Sequence, residues 1–139
     1  MQIFLTSQAK DPNVKQPMID YVNGFDGKSL IYIPTATHAE QGFGLYQDGG
    51  TFKTIKNLSP DLEILELEFV TNQEAQDAIQ SADILFMAGG FPVYLSYWLH
   101  RRKLRNLIYN RINDGMYYIF TNAGAMVCSK SLRSVNYLA

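Results

Sequence analysis

The residues best placed to do chemistry lie in the stretch Tyr117 to Ser129, YYIFTNAGAMVCS. An apolar strand ends there, the backbone must bend at Thr121 and Asn122, and a helix of small residues follows. Such a bend presents one side chain at the turn, while free backbone N–H groups at the helix start point at the same place. In hydrolases built this way the presented residue is a nucleophile. Here it is Asn122, whose amide a neighbouring base cannot activate as it can a hydroxyl or thiol. The turn has the layout of a reacting centre without the reacting group.

Other residues that could take part are scattered. Gly89 and Gly90 close the apolar run DILFM, and paired glycines at a strand's carboxyl end let backbone approach a ligand closely. His38 follows a strand-end loop, and the reading favoured there is an exposed loop histidine. Cys128 lies six residues past the bend, inside the helix, and reads as a packed core thiol. Tyr94, Tyr97 and Trp98 form an aromatic stripe at helical spacing, read as core packing. The basic run His100 to Lys103, with Arg105 and Arg111, reads as a solvated helix face.

The elements that must position these residues alternate along the chain. Gln2 to Ser7 is a first strand, followed by a polar loop to Pro12 and a helix over Pro17 to Tyr21 that stops at Asn23-Gly24. Lys28 to Pro34 is a second strand, apolar almost throughout, as a strand covered on both faces should be. Thr35 to Gly50 is punctuated by glycines, with a helix resuming around Phe52 to Leu58. Leu62 to Phe69 (LEILELEF) reads as a third strand. Thr71 and Glu74 form a capping box for a helix reaching Ser81. Asp83 to Met87 is a fourth strand. Helices over Val93 to Arg101 and Lys103 to Asn113 then lead to the strand Tyr117 to Phe120 and the helix Ala123 to Ser129.

Five strands alternating with helices predict a three-layer αβα sandwich in one domain, with a doubly wound, mostly parallel sheet. The strand ends then set Ser7, Thr35, Gly89-Gly90 and Asn122 along one edge, where ligands of open α/β sheets sit.

The composition narrows the setting. Among 139 residues, 12 basic and 13 acidic side chains leave a formal charge of −1, which gives no field favouring nucleic acid or an anionic membrane. A single cysteine suits a reducing compartment. No apolar run approaches a membrane span, so the expected location is the cytoplasm. No cofactor or metal is expected.

Two linked segments resemble the dipeptidase E and cyanophycinase group of serine peptidases, whose fold is like that of class I glutamine amidotransferases. ADILFMAGGFPVYLSYWL, Ala82 to Leu99, is similar to that family's strand, Gly-Gly-Asn turn and helix. YYIFTNAGAMV, Tyr117 to Val127, is similar to its strand followed by Gly-x-Ser-Ala-Gly-Ala. IYIPTAT, Ile31 to Thr37, supports the match. The resemblance implies hydrolysis of aspartyl dipeptides or related peptides in the family, and an oxyanion pocket here from Gly89, Gly90, Phe91, Ala123 and Gly124.

The departures fall on the chemistry. The family's nucleophilic serine falls on Asn122, the glycine two residues earlier on Phe120, and the turn asparagine on Phe91. The family's acidic triad residue falls near Asn136 and Tyr137, and its histidine lies beyond Ala139. His38 and His100 both precede the bend. The expectation is an inactive peptidase relative, incomplete at its C-terminus; the alternative is a binding or regulatory module that takes a small acidic peptide or metabolite in the retained pocket. A chain ending at Ala139 should leave apolar surface for a homodimer. A rearranged hydrolase using Ser7, Ser129 or Ser131 with His38 is disfavoured, because none of those serines sits at the bend.

Overall fold

A computed structural model describes residues 2–6, 8–40, 44–121 and 136–138, with only the backbone of residue 2 and of 136–138. The strands are β1 (Gln2–Thr6), β2 (Leu30–Ile33), β3 (Glu63–Ile64), β4 (Ile84–Met87), β5 (Tyr117–Thr121) and β6 (Asn136–Leu138). They form one sheet in the order β3-β2-β4-β5-β1-β6, and every described pairing is parallel. β2 to β5 thus repeat the flavodoxin-like order, with β1 in the next position and β6 outside it. The sequence reading did not include β6.

The helices are α1 (Pro12–Tyr21), α2 (Thr35–His38), α3 (Gly50–Leu58), α4 (Asn72–Ser81), α5 (Pro92–Arg101) and α6 (Arg105–Asn113). Side chains alternate across each central strand, and each face gathers its own core. On one face Ile31, Ile33, Leu85, Met87, Tyr118 and Phe120 pack against α4, α5 and α6. On the other, Leu30, Tyr32, Ile84, Phe86 and Ile119 pack against Met18 of α1 and Ile55 of α3. Both faces being covered explains why β2 and β4 are buried at every position. The αβα sandwich read from the sequence is the observed fold.

Several boundaries differ, each for a local reason. α1 starts at Pro12, five residues before the sequence reading put it. Asp11 caps it, accepting a hydrogen bond from Asn13 N at 2.9 Å, and proline at the first helical position gives up no hydrogen bond. Pro17 then lies inside the helix rather than at its start. α3 begins at Gly50, two residues early.

The third strand is two residues long instead of eight. Beyond it, Leu67 N donates to Thr35 Oγ1 at 3.1 Å and Arg102 Nε donates to Leu67 O at 2.8 Å. Side chains thus replace the ladder, and the chain turns with Leu67 fully buried and Phe69 largely exposed. The capping box is present as read, with Glu74 N donating to Thr71 Oγ1 and Thr71 N to Glu74 Oε1.

The basic run is solvated only in part: His100, Arg101 and Lys103 are exposed, whereas Arg102, Arg105 and Arg111 are engaged. The Arg102 guanidinium lies 4.8 Å from the Trp98 ring centroid and bonds Asn72 Oδ1. Arg111 donates to Ala82 O at 2.8 Å, and Arg105 bonds Ser96 Oγ. The aromatic stripe also departs from a core role: Leu95 and Leu99 are the buried residues of α5, while Tyr97 is 56% exposed and Trp98 is half-buried. α5 covers the sheet with its leucines, so its aromatic positions fall at the margin of that contact.

Candidate active-site cavity

With all strands parallel, β2, β4 and β5 deliver their carboxyl ends to one edge. The helices after β2 and β4 lie on opposite faces: α3 packs with one core and α5 with the other. That divergence opens a crevice at the switch in strand order, the usual ligand position in such sheets.

The crevice is a cavity of about 360 Å³. Gln8 and Lys10 after β1, Thr37 and Glu40 after β2, Gly89 and Gly90 after β4, and Thr121 at the end of β5 line it. Tyr32, Tyr46 and Phe52 form its apolar wall. Their rings meet edge-on or stacked, with centroids 5.2 Å apart for Tyr32 and Phe52 and 5.3 Å apart for Tyr46 and Phe52. Burial pushes the phenols of Tyr32 and Tyr46 up from their ordinary pKa, so both enter neutral pH as uncharged donors.

The glycine turn is held by side chains from its two neighbouring strands. Gly89 N donates to Thr121 Oγ1 at 2.7 Å, and Thr37 Oγ1 donates to Gly89 O at 2.6 Å. Phe91 N donates to Ala36 O at 2.9 Å. Gly90 has φ of 151°, and a Cβ there would stand 2.2 Å from Ala36 O and 2.6 Å from Thr37 N. No other residue fits this place without moving α2. The Gly90 N–H has no acceptor among the described residues.

Beside this turn lies a polar cluster that the sequence reading missed. Glu68 Oε2 is 2.6 Å from His38 Nδ1 and accepts from Tyr94 OH at 3.0 Å; Oε1 accepts from Thr35 Oγ1 at 3.2 Å. His38 is exposed, as expected, but it stands at the end of a helix and is paired with Glu68 rather than lying in a loop. It ends α2, and its ring lies against Tyr46 with centroids 5.8 Å apart. In the sequence Glu68 is one of several acids alternating with apolar residues in LEILELEF, which disguises it as the outer face of a strand.

The structure brings Thr35, Gly89 and Gly90 together at the edge as expected, with Thr121 beside them. Gly89 and Gly90 line the cavity; the Phe91 side chain is 52% exposed and does not. Asn122, Ala123, Gly124, Cys128, Ser7, Ser129 and Ser131 lie outside the described residues. Lys10, Gln8 and Tyr46 were not singled out in the sequence, because they come from loops whose path only the fold defines. Among the described residues there is no group of three or more His, Cys, Asp or Glu able to hold a metal, and no helix long and apolar enough to cross a membrane.

A parallel αβα sheet with a glycine turn bonded to the end of β5 matches the fold of a solved peptidase E structure. The model of peptidase family S51 matches residues 3–139, and the chain belongs to that family. An uncharacterized peptidase of Listeria monocytogenes is 28% identical over 130 residues, covering 94% of this chain and 62% of the relative. Peptidase E of Haemophilus influenzae is 25% identical over 140 residues, covering 98% and 62%. A crystal structure of a Listeria monocytogenes protein described as a peptidase E superposes with a TM-score of 0.76 at 26% identity, over 90% of this chain and 60% of that one. The chain thus spans less than two thirds of the length of these relatives.

Proposed function

We propose that this member of the peptidase family binds a small acidic peptide or carboxylate in the edge cavity and does not carry out serine-type hydrolysis. The observation that carries the reading is a glycine-specific turn whose Gly90 N–H has no acceptor among the described residues; the resemblance adds asparagine at the position of the family's nucleophile. The backbone donor at Gly90 does not depend on the substituted side chains, and Lys10 adds a cation on the cavity wall. Turnover by the family's route needs a hydroxyl, a base in reach and a group orienting that base. Loss of such residues lowers rates by roughly 10⁴- to 10⁶-fold.

Thermal-shift measurements with amino acids, aspartyl dipeptides and simple carboxylates test the binding half. A ligand at a hundredfold its dissociation constant stabilises the fold by about 2.7 kcal/mol. Absence of protection by any acidic compound at millimolar concentration would remove the reading. Incubation with aspartyl and β-aspartyl peptides tests the other half, and release of free aspartate abolished by Asn122→Ala would refute it. The setting proposed is the cytoplasm.

A homodimer is proposed alongside. Val93 and Tyr97, one turn apart on α5, are 69% and 56% exposed, an apolar strip of the kind that self-association covers. A sedimenting species of monomer mass at high concentration would count against it.

A further inference from the structure

We propose that the amino end of α3, with Lys10 and the hydroxyls of Tyr32 and Tyr46, is the seat of a carboxylate group in this cavity. The inference rests on the cavity reading above and deepens it by naming where the ligand's charge is received. Gly49, Gly50, Thr51 and Phe52 all line the cavity. Four consecutive residues go more than once around a helix, so a wall that touches all of them is the end of α3 and not its flank. No side chain caps this end, and its first turn holds no acid. The N–H groups of Gly50, Thr51 and Phe52 have no acceptor among the described residues, and together with the helix dipole they favour an anion.

A helix end alone is satisfied by water; the buried phenols beside it point to a ligand. Tyr32 and Tyr46 are 2% and 8% exposed and line the same cavity, and their hydroxyls have no hydrogen-bond partner among the described residues. Neither oxygen is sealed in the core: among the described residues, the side-chain nitrogen or oxygen that is both buried and unpartnered is Trp98 Nε1. The two phenols therefore open into the cavity. As neutral hydroxyls, each can donate to an anion. Lys10 supplies the charge. Its stem runs across Gly50, with Cδ 2.6 Å from where a Cβ at residue 50 would stand, and so brings the ammonium to the same helix end. It has no ion-pair partner among the described residues. Gly90, by contrast, offers a single N–H and no charge, which suits a neutral carbonyl. With one cation, and with the Glu40 carboxylate also on the wall, the cavity suits a singly charged group, a carboxylate before a phosphate.

Titration of the nitrogen-15-labelled full chain with succinamate, succinamide and inorganic phosphate tests this. The first two differ by a single carboxylate charge. The wild-type chain should prefer succinamate to succinamide by about tenfold, the size of one charge-assisted hydrogen bond, with the largest amide shifts at Gly50, Thr51 and Phe52. Lys10 is exposed, so Lys10→Gln should keep the fold while cutting the preference to about threefold. Tyr46→Phe should weaken succinamate about fivefold and leave succinamide within about twofold. Shifts confined to Gly89 and Gly90, or a preference unchanged in both variants, would overturn the assignment and leave the cavity reading standing. Phosphate held more tightly than succinamate would overturn it too. A chain that binds none of the three, nor aspartyl-leucine, would overturn both readings.

Discussion

The carbonyl of Ala36 lies where the side chain of any residue but glycine at position 90 would have to begin, 2.2 Å from an ideal Cβ. This contact holds α2 against the turn after β4. Gly90→Ala must separate α2 from the turn and also place a Cβ at a φ of 151° that L-residues rarely adopt. It should cost about 3 kcal/mol, read as a lowered urea midpoint with unchanged slope. A loss below about 0.5 kcal/mol would mean that the turn can shift freely.

A second expected effect concerns alkaline pH. Tyr32 is buried, stacked 5.1 Å from Phe86, and its phenol titrates far above the ordinary value near 10. The sign follows from proton counting. Above pH 10 the unfolded chain releases this proton and the folded chain keeps it, so the folded state binds more protons and stability falls as pH rises. The contribution is fully present below pH 10. Tyr32→Phe should flatten the decline between about pH 9.5 and 11 in urea titrations, relative to the wild-type protein. An unchanged slope would place the pH dependence on Tyr21, Tyr46 and Tyr94, whose phenols burial also pushes up.

The capping box of α4 gives a prediction independent of the site. Thr71→Ala removes the acceptor of the Glu74 N–H and should cost about 1 kcal/mol, whereas Thr71→Ser should be close to neutral. Chemical denaturation of the three proteins compares them directly. Equal midpoints for all would show that α4 is held by packing of Ala75 and Ile79 alone.

A serine at residue 122, the position that the resemblance gives to the family's nucleophile, should not by itself confer hydrolysis. Asn122→Ser supplies a hydroxyl, but the imidazole that the described residues place at the edge is committed to Glu68 through Nδ1 and comes from the opposite end of the chain to the family's histidine. We expect no hydrolysis of aspartyl peptides above the wild-type level. A measurable rate that vanishes in the double variant Asn122→Ser with His38→Gln would assign His38 a proton-transfer role.

How much of this could be read beforehand follows from where each signal resides. Continuous apolar runs such as LIYI and ILFM show their strands directly, because burial on both faces leaves no polar residue to confuse the period. Thr71 with Glu74 shows a helix start because the bonds that make it are local. The glycine turn was legible because paired glycines closing an apolar run mark it in the sequence itself, although the bonds that hold it come from Thr37 and Thr121 far along the chain. Glu68 was not, because its partners His38, Thr35 and Tyr94 lie 26 to 33 residues away in sequence. Arg102 and Arg111 were misread likewise. The carbonyls of Leu67 and Ala82 that hold them inward are products of the fold and leave no trace in a charge pattern. The false length of the third strand came from alternation alone, which describes a half-buried strand and a buried turn equally well when leucines recur every second residue.

That short strand has a bearing on how the molecule coexists with its own copies. An outer strand of eight residues would offer a long row of unpaired peptide groups for another chain to add to. Glu63–Ile64 offers only two residues, and at Leu67 both backbone groups are already occupied by Thr35 and Arg102. The sheet is thereby closed to growth along β3, a guard against edge-to-edge polymerisation.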